Sequence, residues 1–196
     1  SSSYIISLIK ACSMFLGKDI TDIEICKIAY KLELKFNPYC GYQDPYGCGI
    51  GGFKKIEFYK GGIVKYDFLP TKFFNQYDMY LVFTGVTRNS KNILKDVTQN
   101  IDKVKPLLTT LDKSYNTVIN EDYDSFLNYM DKSWLQKKKV SSTITENDTI
   151  KEIDKNLYAN EIVIAHKLCG AGNGGFFLAF TKKEQLNIPY NCVKIN

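Results

Sequence analysis

A glycine run near the end of the chain constrains the fold more than any other feature of the sequence. The segment at 170–175 (GAGNGG) separates two apolar stretches, Ile162 to Ala165 and Phe176 to Phe180, which predict a strand on either side. Glycine lets a backbone approach a bound phosphate closely. The segment does not match a Walker A loop, nor G-x-G-x-x-G between a strand and a helix. By itself it predicts either a phosphate-binding loop or a flexible hairpin turn.

A second glycine-rich segment, 38–52, holds five glycines and two prolines. This composition predicts a loop rather than a regular helix. Asp44 lies inside it, and its carboxylate is suited either to take a proton from a substrate hydroxyl or to form an Asx-type turn. Because Pro45 follows, we expect an extended backbone at Asp44.

Three serines open the chain, directly before an apolar stretch at 4–16 that predicts a mostly buried helix. Ser1, Ser2 and Ser3 would therefore sit at a helix N-terminus, where free N–H groups and hydroxyls can bind an anion. The simpler interpretation is an ordinary N-cap. Both remain open at this point.

The remaining pattern mixes helices and strands without strict alternation, which favours the α+β class. Thr21 and Glu24 have capping-box spacing at the start of a second helix, with Ile25, Ile28, Ala29 and Leu32 on one face. Further elements are predicted as a hairpin of strands at 53–59 and 63–68, a strand at 79–84, and helices starting near Asn89 and at 101–112, 121–138 and 147–157.

Composition narrows the class of protein. The chain has 196 residues, 44% hydrophobic and 24% charged, which is ordinary for a globular protein. It has no apolar run of bilayer length and no secretory signal, so we expect a cytoplasmic protein that does not bind membranes. Six scattered cysteines and one histidine make a zinc site improbable. The net charge of +5 suits an anionic ligand or a nucleic acid equally.

Two basic features are expected to be structural. The run Lys137 to Lys139 is typical of a solvated helix face. His166, the only histidine, is expected to serve local packing.

Taken in order, these motifs resemble those of the GHMP kinases. That family has a P-x-G-L-G-S-S-S phosphate loop leading into a helix, an acidic residue after a second helix, and a late G-A-G-G-G-G loop. Ser1 to Ser3 resemble the end of the first motif, and Gly170 to Gly175 resemble the last. The chain starts inside the first motif, so we expect either a fragment or a second chain that supplies the rest.

The resemblance is closer to the heptose 7-phosphate kinase group and its fucokinase-like relatives. The stretch 41–53 resembles their G-x-Q-D-Q-Y-A-A-A-x-G-G-F signature, with Pro45 replacing a glutamine. The stretch 84–94 resembles T-G-x-x-R-x-S-x-x-I-L, and 134–138 resembles W-x-x-K-K. The matches cover essentially the whole chain.

The resemblance implies a set of site residues. Asp44 would be the catalytic residue. Ser2 and Ser3 would also contact Mg²⁺. Phosphate and ATP would be bound by Ser1, Ser2, Ser3, Gly170, Ala171, Gly172, Gly174 and Gly175, and the substrate by Gln43, Arg88 and Lys167. From the residue alone, Arg88 suits an acceptor phosphate and a surface helix start equally. Lys137 and Lys138 could serve the same pocket instead of forming a solvated face.

The resemblance also implies an architecture and a reaction. Residues 1–72 would be the remainder of an N-terminal domain like that of ribosomal protein S5, and 73–196 a C-terminal GHMP domain with a ferredoxin-like sheet; the active site would lie between them. The expected reaction moves the γ-phosphoryl of ATP, with Mg²⁺, to the anomeric hydroxyl of a heptose 7-phosphate, for nucleotide-activated heptose and a cell-surface glycan. A homodimer is compatible with the sequence.

Three alternatives remain open from the sequence. The chain could be a kinase for another sugar, such as fucose or galactose. It could be a non-catalytic GHMP-like module that binds a sugar or nucleotide. Nucleic-acid binding rests only on the net charge, and since the chain lacks an RRM-type aromatic and glycine signature we expect none.

Overall fold

The computed structural model describes residues 2–87, 90–184 and 190–196. It divides the chain into two compact units, one ending at Phe68 and the other running from Leu69 to Asn196. Each unit contains both helices and antiparallel strands. The predicted α+β class is therefore confirmed.

The first unit packs three helices beside a two-stranded hairpin. Its elements are α1 (Ser2–Phe15), α2 (Asp22–Phe36), α3 (Gln43–Gly49), β1 (Lys54–Tyr59) and β2 (Ile63–Phe68). The hairpin pairs in the register Lys54–Phe68 to Tyr59–Ile63. Gly61 takes φ of +80° in the connection, a conformation that costs glycine little, so the predicted hairpin is confirmed.

The start of α2 follows directly from its sequence. The Thr21 hydroxyl accepts from Glu24 N–H, and the Glu24 carboxylate accepts from Thr21 N–H at 2.9 Å. This reciprocal arrangement is the predicted capping box. The buried face of the helix is rotated from the prediction, however: Ile28 is exposed, whereas Ile25, Cys26, Ala29 and Glu33 are buried.

The predicted loop at 38–52 was wrong in its middle part, where α3 forms. Asp44 is in the first turn of this helix, not in an extended conformation. Pro45 also lies in the first turn, where a missing N–H costs no helical hydrogen bond. Tyr46 is fully buried beside Cys26 and Ile50. This tertiary packing outweighs the weak helix propensity of the glycines.

The second unit is built on a four-stranded antiparallel sheet. Its strands are β3 (Tyr77–Phe83), β4 (Ala165–Leu168), β5 (Phe176–Lys182) and β6 (Cys192–Lys194), in the order β4-β5-β3-β6. This is the strand order of a ferredoxin-like sheet, as predicted. Strand β4 begins three residues later than expected, because Asn160 Oδ1 accepts from Ile162 N–H in a turn at 3.0 Å.

The remaining elements of this unit are helices. They are α4 (Phe73–Gln76), α5 (Ser90–Gln99), α6 (Lys105–Ile119), α7 (Tyr123–Val140) and α8 (Asp148–Ala159), with short 3₁₀ helices at Ile101–Val104 and Ser142–Thr145. The core contains Trp134, Ile144, Leu157 and Phe177, each at most 1% exposed. This core holds the ends of β4 and β5, and so the glycine segment between them, on a rigid base.

Asp78 on β3 joins the end of the chain to the sheet. It is 1% exposed, and the ammonium groups of Lys183 and Lys194 each lie 2.9 Å from its carboxylate. Burial alone would raise the pKa of Asp78, but the two lysines and the Glu184 N–H outweigh burial and lower it. The charged carboxylate is therefore the form that the folded state favours.

We expect Asp78→Asn to lower the free energy of unfolding at pH 7 by about 1–3 kcal/mol, since charge-assisted hydrogen bonds are lost. The folded pKa is depressed, so this stabilisation is present above the unfolded pKa, near 3.9, and is lost as pH falls through the folded pKa. Urea denaturation at several pH values should thus show that the difference in free energy of unfolding between wild type and variant becomes smaller below about pH 4. A gap independent of pH would contradict this assignment.

No helix within 2–87, 90–184 and 190–196 is long and apolar enough to cross a membrane.

Candidate functional site

The start of α1 is tied to two other parts of the first unit. The Ser2 hydroxyl donates to the carboxylate of Glu33 on α2. The Ser3 hydroxyl contacts the Cys48 Sγ of α3 at 3.3 Å. Because the first turn of a helix leaves N–H groups without intrahelical acceptors, the two serines present hydroxyls and N–H donors together. The structure thus places Ser2 and Ser3 beside α2 and α3, and anion binding by them stays a prediction.

Glu33 is a candidate site residue that the sequence analysis missed. Its side chain is buried and accepts from Ser2 and from the Cys40 thiol, whose Sγ lies 2.9 Å from Oε2. Burial, and then the hydrogen bond to Glu33, raise the pKa of Cys40 to about 12, so the thiol stays protonated and donates. A signal was available: Glu33 continues the buried stripe of Ile25 and Ala29 at four-residue spacing.

Asp44 lies on the exposed surface in the first turn of α3. Asp44 and Cys48 are four residues apart, so they share one face of this helix. Cys48 contacts Ser3. The carboxylate of Asp44 therefore projects from the helix face that meets the start of α1. Gln43, the first residue of α3, is also exposed.

The oxygen groups at this point fit a magnesium ion. Mg²⁺ prefers hard oxygen ligands and is commonly held by one or two protein groups together with substrate phosphates and water. The Ser2 hydroxyl and the Glu33 carboxylate are such ligands, and they lie in contact. A cluster of three His, Cys, Asp or Glu side chains is absent from the part of the chain that the structure describes. The donor set thus suits an ion shared with a phosphate rather than a site made only of protein.

The glycine segment of the second unit forms the turn between β4 and β5. Positive φ angles occur at Gly170, Gly172, Asn173, Gly174 and Gly175, a conformation that residues other than glycine and asparagine rarely adopt. The strand predicted after the segment is confirmed as β5.

Several hydrogen bonds hold this segment in place. Asn173 N–H donates to the Ile144 carbonyl at 2.6 Å, and its Oδ1 accepts from Asn147 N–H at 2.8 Å. Gly175 N–H donates to the Val86 carbonyl at 3.0 Å. A Cβ atom on Gly172 would lie 2.9 Å from the Ile144 backbone. The segment is therefore an ordered loop rather than a flexible turn.

Three consecutive N–H groups in the loop remain available to a ligand. The N–H groups of Gly170, Ala171 and Gly172 donate to no acceptor among the described residues. Successive free N–H groups on backbone that includes left-handed conformations form a concave anion site. This geometry favours the phosphate-loop interpretation over the hairpin turn, although the individual ATP contacts stay predictions.

The predicted solvated lysine face was wrong for two of its three members. Lys137 Nζ donates to the Gly170 carbonyl. Lys138 pairs with Asp154 at 2.6 Å and its side chain is 22% exposed. Both lysines meet hydrogen-bond acceptors that the fold brings to α7 from distant parts of the sequence. Lys139 is exposed, as predicted.

His166 is a packed core residue, as predicted. It is 1% exposed, and its Nε2 lies 2.9 Å from Asp154 Oδ1. Trp134 Nε1 donates to the same oxygen at 2.6 Å. Burial would raise the pKa of Asp154, but hydrogen bonds from His166, Lys138 and Trp134 outweigh it and lower the pKa. These contacts fasten α7, α8 and β4 together behind the glycine loop.

The other predicted site residues are less constrained by the structure. Ser1 and Arg88 lie outside the described residues. Lys167 is half-buried on β4, opposite Leu178 of β5. It makes no ion pair within the described ranges. Its role in substrate binding stays a prediction.

Comparison with known proteins identifies relatives over the whole chain. The D-glycero-alpha-D-manno-heptose 7-phosphate kinase of Campylobacter jejuni is 29% identical over 206 residues, covering 99% of this chain and 59% of the relative. The mevalonate kinase of Pyrococcus furiosus is 25% identical, covering 96% of this chain and 57% of the relative. The chain thus spans somewhat more than half the length of these relatives. No family model matches it.

Solved structures show the same fold. The phosphomevalonate kinase of Streptococcus pneumoniae, in complex with phosphomevalonate and AMPPNP, superposes with a TM-score of 0.77 over 99% of this chain and 68% of that protein, at 13% identity. At this identity the likeness concerns the fold alone.

Proposed function

We propose that the chain is a kinase of the GHMP type, as its similarity to a heptose 7-phosphate kinase and to mevalonate kinases supports, and that it transfers the γ-phosphoryl group of ATP to a hydroxyl group of a sugar phosphate. We propose a heptose 7-phosphate as the acceptor and its anomeric hydroxyl as the reacting group. Its product would serve the synthesis of nucleotide-activated heptose.

One observation carries the proposal. At the start of α1, the hydroxyl of Ser2 meets the buried carboxylate of Glu33, while the Ser3–Cys48 contact brings in the face of α3 that bears Asp44. Phosphoryl transfer requires positioned charges near the phosphates and a group that orients the attacking hydroxyl. This part of the first unit holds candidates for both tasks.

Ser2, Ser3 and the first N–H groups of α1 would bind the ATP phosphates, and Ser2 with Glu33 would hold Mg²⁺. A bound Mg²⁺ supplies neutralisation of the charge on the transferring phosphoryl group. A helix N-terminus adds a favourable field for an anion. In the second unit, the free N–H groups of Gly170, Ala171 and Gly172 would offer donors of their own to a phosphate.

Asp44 would orient the acceptor hydroxyl and accept its proton. Its exposed carboxylate is accessible to a substrate, and a general base must lie within hydrogen-bond reach of the proton that it takes. An anomeric hydroxyl is more acidic than an ordinary alcohol, so an ordinary carboxylate suffices. Gln43, next to it, would contact the same acceptor.

The acceptor phosphate would be recognised by positive side chains. Arg88 and Lys167 are the proposed contacts, and the net charge of +5 favours an anionic substrate over a neutral sugar. Arginine in particular pairs with two phosphate oxygens at once. This recognition is the part of the proposal that separates a sugar phosphate from a free sugar.

Other acceptors define the alternatives. Similarity to the mevalonate kinase of Pyrococcus furiosus over 96% of the chain favours mevalonate as a second candidate. Fucose and galactose remain candidates as free sugars, and a non-catalytic module that binds ATP or sugar without turnover is the alternative outside the enzymes.

We expect ATP consumption, with Mg²⁺, to be fastest with D-glycero-D-manno-heptose 7-phosphate. A site built to pair a phosphate rejects analogues that lack it, so kcat/KM should fall by about 10²-fold or more for the same heptose without its 7-phosphate. The assay compares these two acceptors with fucose, galactose and mevalonate at equal concentrations.

Two other results of this panel would change the proposal. Faster turnover of mevalonate or a free sugar would replace the proposed acceptor. Folded protein that binds ATP but turns over none of the acceptors would contradict the kinase proposal and support the non-catalytic module.

A further inference from the structure

We infer that Lys137 is a positioning residue that orients the Gly170–Ala171 peptide of the glycine loop, so that the Ala171 N–H faces a bound phosphate. This inference rests on the proposed function, because it concerns the same phosphate site. Lys137 lies in the last turn of α7, 33 residues before Gly170. The direct contact between the two appears only in the folded chain.

The planar Gly170–Ala171 peptide couples the direction of the Ala171 N–H to that of the Gly170 carbonyl. Lys137 Nζ donates to the Gly170 carbonyl oxygen. In a trans peptide the carbonyl and the following N–H point in opposite directions within one plane. The structure has no cis peptide bond among its described residues. Holding the Gly170 carbonyl towards α7 therefore directs the Ala171 N–H away from α7.

That N–H is free for a ligand. Ala171 N–H donates to no acceptor in the described parts of the chain, and neither does that of Gly170 or Gly172. A half-buried donor without an acceptor is costly unless a ligand or water accepts from it. The N–H of exposed Gly170 and that of buried Gly172 flank it, and three free donors in sequence favour an oxygen-rich anion as the ligand.

The backbone at Gly170 does not by itself fix the orientation of this peptide. Gly170 has φ of +69° and is exposed, and glycine populates positive and negative φ almost equally. Backbone hydrogen bonds hold the chain on either side of this peptide, at Cys169 before it and at Asn173 and Gly175 after it. Lys137 acts on the Gly170–Ala171 peptide itself.

The end of α7 is itself held firmly, so Lys137 acts from a rigid base. Asp154 of α8 receives hydrogen bonds from Trp134 and Lys138, on either side of Lys137, and from His166 of β4. Trp134 is 1% exposed. These bonds link α7 to the strand that leads into the loop, and they fix the distance over which Lys137 reaches Gly170.

Lys137→Met tests this role, because methionine keeps most of the stem and removes the ammonium group. We expect kcat/KM for ATP to fall about 10- to 100-fold, somewhat less than the loss of a complete transition-state donor, with little change in KM for the acceptor. Lys137→Arg should recover most of the loss. Lys139→Met is the matched control, since Lys139 is exposed on the same turn, and it should behave as wild type.

A second readout separates this inference from the proposed function. In wild type labelled with ¹⁵N, ADP with Mg²⁺ should shift the Ala171 amide resonance, and in Lys137→Met that shift should be lost or halved. The shift can occur in a protein that transfers no phosphate, so it supports the role of Lys137 even if the kinase proposal fails.

Three results would overturn the inference. The first is an Ala171 resonance in wild type that ADP leaves unmoved. The second is wild-type kinetics for ATP in Lys137→Met. The third is a Lys137→Met protein in which the loss of rate equals the loss of folded protein that still binds ATP. A residue with only a structural role would have this effect.

Discussion

Asp44→Asn is expected to reduce the rate of phosphoryl transfer by about 10²- to 10⁴-fold, the usual contribution of a general base. Asparagine has almost the same shape as aspartate, but it carries no charge and cannot accept the proton. Asp44 lies on the surface of α3 and is not part of the buried core, so the fold should tolerate the change. The measurement is single-turnover transfer from ATP at saturating acceptor.

If Asp44 is the base, its replacement should leave nucleotide binding unchanged. Nucleotide affinity of Asp44→Asn, measured by calorimetry, should match wild type, because the proposed phosphate ligands are Ser2, Ser3 and the glycine loop. Asp19→Asn, in the exposed connection between α1 and α2, is the control for a lost surface charge. A transfer rate in Asp44→Asn within a few-fold of wild type would show that Asp44 is not the base.

Gly172→Ala is expected to lower the free energy of unfolding by about 2–4 kcal/mol, the sum of backbone strain and overpacking. Gly172 is buried, has φ of +125°, and a Cβ atom there would lie 2.9 Å from the Cα and carbonyl oxygen of Ile144. Backbone atoms cannot move aside as a flexible side chain can. Denaturant unfolding monitored through Trp134, the only tryptophan, should report the loss.

Gly85→Ala serves as the matched control. Gly85 also has positive φ, at +69°, but a Cβ atom there meets nothing within 4 Å. The free energy of unfolding of Gly85→Ala should therefore fall only by the cost of backbone strain at positive φ, about 1–2 kcal/mol. Equal losses in the two variants would mean that contact with Ile144 contributes nothing and that the loop can move away from it.

Local structure was largely predictable where neighbouring residues decide it. The capping box of Thr21 and Glu24, the hairpin around Gly61 and the strand after the glycine loop all depend on contacts within a few residues. The family resemblance was confirmed because it rests on ordered motifs along the whole chain. These signals indicated which residues to consider as a site.

Helix α3 shows where local reasoning failed. Its sequence contains two glycines and a proline within seven residues, and propensity alone argues against a helix. Burial of Tyr46 against Cys26 and Ile50 stabilises it nevertheless. Each glycine costs about 1 kcal/mol relative to alanine, and burial of a large ring contributes about 1.5–3 kcal/mol, so the packing of Tyr46 can offset both glycines.

The α+β class, the order of the motifs and the candidate residues Asp44, Ser2 and the glycine loop could all be predicted from the residues alone. The contacts of Glu33 with Ser2 and of Lys137 with Gly170 became visible only in the folded chain. These contacts join residues 31 and 33 positions apart, and a single sequence records no such pairing. The physical reason is that packing of whole helices and strands, rather than the preference of any one residue, fixes which distant polar groups come within hydrogen-bond reach.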